Sequence, residues 1–207
     1  GREWELCRVI ALYEALAYAD GSLGWVVNLG SGGNLFAGFL LPELAQSLFQ
    51  DSTAVIAGSG AISGEAKESD GGYIITGEWR YASGAAHATY FTFNAQLIDQ
   101  EGESLLDDSG TPLYRSFIVP RSAVQIKDTW DVLGLEATSS CNFLLEEYYL
   151  EACYAFDLTT GSPYTPSPLY HYPFTLFSLA SMSVMCSGMA LHFLEKFNER
   201  ILPKRPL

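Results

Sequence analysis

The sequence predicts an α+β protein in which helices flank a central run of strands. Three observations lead to this class: helical spacing of apolar residues near both ends, strand-like patterns between them, and a composition that provides a large core. Of the 207 residues, 48% are apolar, 14% are aromatic and 17% are charged. A chain with this composition is folded, since it has enough apolar surface to bury.

Helices are predicted throughout the first part of the chain, residues 1–52. The pattern indicates three of them, in residues 4–16, 22–29 and 42–49. Asp20 precedes a break after the first helix, Ser22 is placed to cap the second, and the glycines from Gly30 onward interrupt that helix. Pro42 lies at a first-turn position of the third helix, where its missing N–H is tolerated.

Strands are predicted in the second part of the chain, residues 53–155. Runs of β-branched and aromatic residues indicate five strands: Tyr73–Tyr81, Tyr90–Ile98, Tyr114–Val119, Ala123–Ile126 and Cys141–Leu150. Because short turns and no helices join these strands, we expect an antiparallel sheet or barrel. The acidic residues 99–108 are expected to form a solvated hairpin end.

The third part, residues 156–207, is predicted to be a crossing loop followed by a long helix from Phe174 to Ile201. The stretch from Pro173 to Phe193 has no acidic or basic side chain and is about long enough to cross a bilayer. Its many small residues, such as Gly188, instead favour a helix buried among other helices. Only the N-terminal helices are available as partners, so we expect the protein to continue beyond both ends.

The charge of the chain limits its partners. It has 24 acidic and 11 basic residues, a formal net charge of −13 and a pI near 4.5. Such a surface repels phosphate backbones and anionic membrane faces. We therefore expect neither a nucleic-acid partner nor a membrane partner.

The cysteines indicate a reducing compartment. Cys7, Cys141, Cys153 and Cys186 are scattered, with no CxxC pair and no cluster of histidines nearby. This pattern is typical neither of a zinc site nor of a disulfide framework. The first residues also lack the pattern of a signal peptide. We expect no metal and a cytoplasmic location.

A first candidate binding segment is the glycine-rich stretch Gly58–Gly64. It superficially resembles a dinucleotide-binding fingerprint, but that fingerprint requires a helix directly after it. Here a polar stretch broken by glycines follows, and then a strand. Two interpretations remain for Gly58 and Ser59: a plain loop, or a glycine-lined wall where backbone amides approach a ligand.

A second candidate lies at the end of an aromatic strand, in residues 77–88. A planar heterocycle would suit this rim, with stacking from Trp79 or Tyr81 and a polar contact from Ser83. The alternative is purely structural: the aromatic residues fill the core, and Ser83 and Gly84 are turn residues.

At this point four segments, taken in order, carry a family resemblance. They cover most of residues 15–155 and are Ala19–Trp25, Phe36–Glu43, Gly71–Ala88 and Asp128–Leu135. Together they resemble the acyl-CoA dehydrogenase superfamily, in particular its branch of two-component flavin-dependent monooxygenases, which includes the hydroxyphenylacetate hydroxylases. The resemblance implies N-terminal helices, a central antiparallel β-barrel and the start of a C-terminal four-helix bundle. It also implies a homotetramer with flavin, FAD or FMN, bound between barrel and bundle.

The resemblance also implies roles for particular residues. Tyr81 falls where acyl-CoA dehydrogenases have a tryptophan against the flavin ring, and Ser83, followed by Gly84, falls where a hydroxyl or amide reaches flavin N5. Gly58 and Ser59 fall where backbone amides approach the pyrimidine edge of the flavin. Trp130, in the last of the four segments, is expected to pack against the barrel. No catalytic residue is assigned, because the base of the dehydrogenases comes from the bundle.

Three functions follow from the resemblance. The first is a reduced-flavin monooxygenase that acts on a small organic substrate and receives its flavin from a separate reductase. The second is an acyl-CoA dehydrogenase that oxidises the α–β bond of an acyl thioester. The third, a tetrameric scaffold that has lost flavin, is motivated by Glu136, which stands where the monooxygenase branch commonly has arginine. A carboxylate there disfavours an anionic cofactor.

Overall fold

A computed structural model describes residues 4–158 and 161–201. Its helices are α1 (Leu6–Ala19), α2 (Gly21–Gly33), α3 (Pro42–Phe49) and α4 (Phe174–Arg200). Its strands are β1 (Ile56–Ser69), β2 (Gly72–Ala82), β3 (Tyr90–Ile98), β4 (Tyr114–Pro120), β5 (Gln125–Lys127), β6 (Cys141–Glu151) and β7 (Ala155–Phe156). The predicted order of helices, strands and helix is confirmed. Residues 159 and 160 of the predicted crossing loop lie outside the described residues.

The start and end of α2 differ from the prediction. Asp20 caps this helix instead of Ser22, since the Leu23 N–H donates to Asp20 Oδ1 at 2.8 Å. The helix also continues through its glycines to Gly33. A Cβ at Gly33 would lie 3.0 Å from Ile56, the first residue of β1. Gly33, one of the glycines expected to interrupt α2, is therefore part of the helix, and its lack of a side chain lets α2 pack closely against β1.

The seven strands form one sheet in the order β5-β6-β2-β1-β3-β4-β7. All pairings are antiparallel except that between β1 and β3, which is parallel. The prediction of a wholly antiparallel sheet was wrong at this pair. The reason lies in the order of the strands. Strand β2 runs antiparallel to β1 on one side of it, and β3 lies on the other side of β1 and runs in the same direction as β1.

The glycine-rich segment Gly58–Gly64 is part of β1, so the prediction of a loop was wrong there. Its register against β3 shifts twice between Gly58 and Gly64, as at β-bulges. Gly64 lies opposite Gly77 of β2, and a Cβ on either residue would lie closer than 3.0 Å to the indole of Trp79. The absence of a side chain at Gly64 and Gly77 therefore lets the Trp79 ring lie directly against the backbone of β1 and β2.

Trp79 occupies the centre of the sheet core. It is fully buried, its Nε1 donates to the Asn94 carbonyl oxygen at 2.7 Å, and its ring centroid lies 4.3 Å from that of Phe93. The fully buried rings of Phe91, Phe117 and Phe143 belong to the same cluster. Trp79 is thus a core residue, and the interpretation that it stacks on a ligand was wrong.

A second register shift sets the direction of the end of β2. Trp79 pairs with Phe143 and Ala82 pairs with Cys141, so β2 has one residue more than β6 in this interval. In a regular strand Tyr81 would face the same side as Trp79. Because of the bulge, Trp79 is fully buried while Tyr81 is 59% exposed.

The described chain divides into two compact units. One contains residues 30–131 and 139–171, with the whole sheet. The other contains the described parts of residues 1–29, 132–138 and 172–207, in which α1 packs against α4 around Tyr13, Ala17 and Met185. The expected pairing of the long helix with an N-terminal helix is confirmed. The three-part division at residues 52 and 155 stays a prediction.

The helix α4 is packed on one side only. Gly188 allows it to approach the backbone of Glu14 in α1, and the Ser187 hydroxyl donates to Glu14 Oε1 at 2.6 Å. Elsewhere large apolar side chains such as Leu179 and Phe193 are exposed. Within residues 4–158 and 161–201, α4 is the one helix long and apolar enough to cross a membrane.

The glycines of β1 provide a test of the core. We expect Gly64→Ala to lower the free energy of unfolding by about 1–3 kcal/mol, because the added methyl group overlaps the Trp79 ring. Gly60→Ala is the matched control on the same strand, since a Cβ there meets nothing within 4 Å; its effect should stay within about 0.5 kcal/mol. Chemical denaturation of the full-length protein measures both changes, and equal losses would contradict the packing described.

Candidate functional site

The five residues predicted to bind a cofactor lie in two adjacent places of the sheet unit. Gly58 and Ser59 are on β1, while Tyr81 is at the end of β2 and Ser83 and Gly84 form the turn after it. The two places are joined directly, since the Ser59 hydroxyl donates to the carbonyl oxygen of Arg80 at 2.6 Å. The fold therefore brings the two candidate segments of the sequence together.

Tyr81 presents most of its ring to solvent. Trp130 holds it from one side, with ring centroids 5.7 Å apart and an interplanar angle of 61°. Trp130 itself packs against the core of the sheet, as expected. Edge-to-face pairs of this kind orient a ring while leaving a face of it available. The peptide bond between Arg80 and Tyr81 is cis.

Ser83 is held firmly inside the turn. Only 7% of it is exposed, its hydroxyl oxygen lies 2.7 Å from that of Ser140, and its N–H donates to the Tyr81 carbonyl oxygen at 3.1 Å. Gly84 follows with φ of +84°, a conformation that favours glycine. Sequence reasoning missed Ser140, because nothing local links two serines 57 positions apart.

Between Ser59 and Ser63, side-chain hydroxyls connect β1 to β2. Regular pairing of these strands starts only at Gly64 and Gly77. Before that point the Ser59 and Ser63 hydroxyls donate to the carbonyl oxygens of Arg80 and Glu78. Of the two interpretations of this segment, the plain loop is wrong, since the segment is strand. The other interpretation, a glycine-lined wall where backbone amides approach a ligand, stays a prediction; Gly60 to Ser63 are exposed.

Basic groups accompany the turn after β2. Arg121, which follows β4, donates from Nη1 to the carbonyl oxygen of Ala85 at 2.7 Å while its side chain reaches the surface. Arg80 and His87 are exposed on the same stretch of chain. Guanidinium groups such as those of Arg80 and Arg121 bind phosphate oxygens through charge-assisted hydrogen bonds. Glu136 is exposed in a single helical turn of the other compact unit.

Metal and thiol chemistry find little support in the described residues. In residues 4–158 and 161–201, no three His, Cys, Asp or Glu side chains are grouped so as to hold a metal ion. The four cysteines are free thiols. Burial, followed by the charge of Glu151, raises the pKa of Cys153, so this thiol stays protonated at neutral pH.

The groups at this site fit a planar heterocycle with a polar edge. Tyr81 offers an exposed ring face, and the turn at Ser83 offers a hydroxyl supported by a second hydroxyl. The wall at Gly58 and Ser59 offers backbone close to the same strand end. A flavin has the matching features, a flat tricyclic ring with hydrogen-bonding atoms along its edge.

Comparison with known sequences gives the class of the homologues. No family model matches the chain. It is 30% identical over 187 residues to a pigment production hydroxylase from Rhodococcus sp., which covers 86% of this chain and 46% of that protein. It is 28% identical over 205 residues to an indole-3-acetate monooxygenase from Acinetobacter baumannii, with 98% and 50% covered.

Comparison with solved structures gives the fold. The HsaA monooxygenase from M. tuberculosis superposes with a TM-score of 0.84 at 24% identity, covering 100% of this chain and 55% of that one. XiaF from Streptomyces sp., solved in complex with FADH2 and glycerol, superposes with a TM-score of 0.76 at 25% identity, covering 99% and 53%. The chain has the mixed helix and sheet fold of these monooxygenases.

These comparisons confirm the family resemblance seen in the sequence. The homologues of this chain are oxygenase components of two-component flavin-dependent monooxygenases. The chain spans about half the length of the curated relatives it matches.

The contact between Tyr81 and Trp130 is open to measurement by a double-mutant cycle. We expect a coupling free energy of about 0.5–1.5 kcal/mol between Tyr81→Ala and Trp130→Ala, as for other aromatic pairs. Tyr149→Ala replaces Tyr81→Ala in the control cycle, because Tyr149 is an exposed tyrosine at the other end of the β2–β6 ladder. Unfolding free energies of the full-length variants provide both values. Additive effects of Tyr81→Ala and Trp130→Ala would rule out the contact.

Proposed function

We propose that this protein is the oxygenase component of a two-component flavin-dependent monooxygenase that acts on a small aromatic substrate. The observation that carries the proposal is the exposed Tyr81 ring beside the buried Ser83–Ser140 pair, in a chain whose homologues are such oxygenases. A separate reductase would supply the reduced flavin. FADH2 is the favoured form, since XiaF was solved with it and a related resorcinol hydroxylase is named for it.

Within this proposal each site residue has a distinct task. Tyr81 would stack on the flavin ring and shield one face of it from water. The turn at Ser83 would offer a hydroxyl to the N5 edge, and Gly58 and Ser59 would offer backbone groups to the pyrimidine edge. Reduced flavin, when bound, supplies the electrons that activate oxygen for transfer to the substrate. Gly84 maintains the turn that presents Ser83.

The proposal extends to the assembly. We assign residues 1–52, 53–155 and 156–207 to an N-terminal helical domain, a barrel domain and the first helix of a four-helix bundle in a homotetramer. The exposed apolar residues of α4, such as Leu179 and Phe193, support the bundle, because further helices would cover them. The free thiols support a cytoplasmic location.

One observation favours a second candidate, the scaffold that has lost flavin. Glu136 is exposed and carries the charge opposite to the arginine common in the monooxygenase branch. The names of the relatives argue against this candidate, since they are hydroxylases and monooxygenases. The acyl-CoA dehydrogenase alternative has no such support, because the relatives described above are hydroxylases and monooxygenases.

Flavin titration tests the proposed pocket. We expect Tyr81→Ala and Ser83→Ala each to weaken the binding of FAD by about 1–3 kcal/mol, through loss of a stacked ring and of a buried hydrogen bond. Tyr149→Ala and Ser69→Ala are the controls, since Tyr149 and Ser69 lie at the far ends of β6 and β1. Fluorescence of FAD mixed with the full-length proteins reports the dissociation constants. Wild-type protein that binds neither FAD nor FMN in oxidised or reduced form would favour the scaffold, and unchanged titrations of both variants would refute this pocket.

Isotope labelling tests the reaction. We expect the full-length protein, given chemically reduced FAD and ¹⁸O₂, to transfer one labelled oxygen atom to a small aromatic probe such as resorcinol or indole-3-acetate. Mass spectrometry of the product measures this transfer. The same protein should not oxidise butyryl-CoA in the presence of an artificial electron acceptor. Oxidation of the thioester without oxygen transfer would favour the dehydrogenase alternative.

A further inference from the structure

We propose that Arg121 is a positioning residue that holds the turn carrying Ser83 in the conformation that binds flavin. The proposal rests on the function proposed above and adds a residue outside the five candidate site residues. Its structural basis is a hydrogen bond in which Arg121 Nη1 donates to the carbonyl oxygen of Ala85 at 2.7 Å.

The turn lies where the chain crosses one end of the sheet. Strands β2 and β3 lie on opposite sides of β1, so residues 83–89 pass the end at which β1 begins. Thr89 is bonded there, since its N–H donates to the Val55 carbonyl oxygen at 2.8 Å and its hydroxyl oxygen accepts from the Val55 N–H at 2.9 Å. A crossing segment is not part of the strand ladder, so individual hydrogen bonds determine its conformation.

Arg121 holds this crossing segment at two points. Its backbone N–H donates to the carbonyl oxygen of Thr89 at 2.8 Å, and its guanidinium donates to that of Ala85. The arginine is exposed whereas Ala85 is fully buried, so the side chain reaches from the surface to a buried carbonyl group. A charged donor makes a stronger hydrogen bond than a neutral one, and a buried carbonyl oxygen that loses its donor is unfavourable. Removal of the guanidinium should therefore let the segment rearrange.

The anchored carbonyl group directly follows the turn that presents Ser83. The Ala85 N–H donates to the Ala82 carbonyl oxygen at 3.0 Å, which closes a four-residue turn with Ser83 and Gly84 at its centre. Gly84 has φ of +84°, as the third residue of a type II turn requires. Ala85 is thus fixed at its N–H by the turn and at its carbonyl oxygen by Arg121. A displacement of about 1 Å would misalign a hydroxyl or amide directed at a ligand.

A direct contact between Arg121 and the cofactor is the alternative role. A guanidinium has further N–H donors, and these could bind a phosphate oxygen of FAD or FMN. The two roles affect different parts of the cofactor. The turn acts on the isoalloxazine ring, which riboflavin and FAD share, whereas riboflavin has no phosphate. A comparison of riboflavin with FAD therefore separates positioning of the turn from contact with phosphate.

The variant Arg121→Met tests the positioning role, because it keeps an apolar stem and removes every donor. We expect it to weaken the binding of riboflavin and of FAD by the same factor, about tenfold. Protein fluorescence of the full-length variant, titrated with the oxidised compounds and anaerobically with the reduced ones, measures the dissociation constants. Weaker binding of FAD with unchanged binding of riboflavin would overturn the positioning role in favour of a phosphate contact.

Chemical rescue provides a second readout that a general loss of stability would not give. A free guanidinium ion can enter the space left by Arg121→Ala and donate to the carbonyl oxygen of Ala85. Millimolar guanidinium chloride should therefore restore the affinity of Arg121→Ala for riboflavin by about threefold or more. Sodium chloride of the same concentration is the control. No recovery, or equal recovery with both salts, would contradict the role of this hydrogen bond.

Arg115→Met is the matched control variant. Arg115 lies near the start of β4, whereas Arg121 directly follows the end of this strand, and Arg115 Nη1 also donates to a protein oxygen, Asp157 Oδ2, at 2.9 Å. Its replacement should leave both flavin affinities within about twofold of the wild-type values, because this bond is not connected to the turn. Arg121→Lys replaces Arg121→Met if the latter does not fold; the ammonium lacks the fork of the guanidinium and should give a smaller loss.

The outcomes separate this proposal from the function on which it rests. In the Ser83→Ala background, Arg121→Met should weaken riboflavin binding by a smaller factor than in the wild-type protein, because Arg121 acts through the turn. If Ser83→Ala weakens riboflavin binding while Arg121→Met has no more effect than Arg115→Met, the role of Arg121 is overturned and the proposed function stands. If the wild-type protein binds no flavin in oxidised or reduced form, both proposals fail.

Discussion

The packing of the sheet depends on the indole of Trp79, which lies at the centre of its core. It is fully buried among phenylalanine rings, and its nitrogen has a hydrogen-bond partner in the backbone of β3. Gly64 and Gly77 leave the space that this ring occupies. The Trp79 ring is fixed on the inner side of the sheet. The extra residue that follows Trp79 in β2 therefore turns the Tyr81 side chain to the outer side. The site is thus a direct continuation of the core packing.

The candidate site is largely organised by bonds within the protein. The hydroxyls of Ser59 and Ser83 have protein partners, and Trp130 orients the Tyr81 ring. Groups that are oriented in advance lose little conformational freedom when a ligand arrives, so more of the contact energy is available for affinity. The same preorganisation is what catalysis requires of hydrogen bonds directed at a reacting ring.

The helices and strands that were predicted correctly are those with a recognisable pattern in their own residues. The strands β2, β3, β4 and β6 follow from their aromatic and β-branched residues, and α4 follows from its apolar length. The resemblance supplied Tyr81 and Ser83 as candidate site residues, and this stays a prediction. The strand β1 was missed because its glycines and polar residues do not form a strand-like sequence pattern. Gly64 is explained by its contact with Trp79, and this contact exists only in the folded sheet. The partnership of Ser140 with Ser83 and that of Arg121 with Ala85 were missed for the same reason, since each depends on the finished fold.

The single extra residue in β2 has a consequence for how such a sheet can change over generations. Side chains alternate along a strand, so a β2 that lacked Ala82 would regain regular alternation and place Tyr81 on the same side as Trp79. The phenol would then enter the hydrophobic interior, and a small neighbour would take its place at the surface. Point substitutions leave this arrangement of the backbone intact, whereas a change in length by one codon abolishes it. The extra residue of β2 therefore decides which face of the sheet Tyr81 occupies.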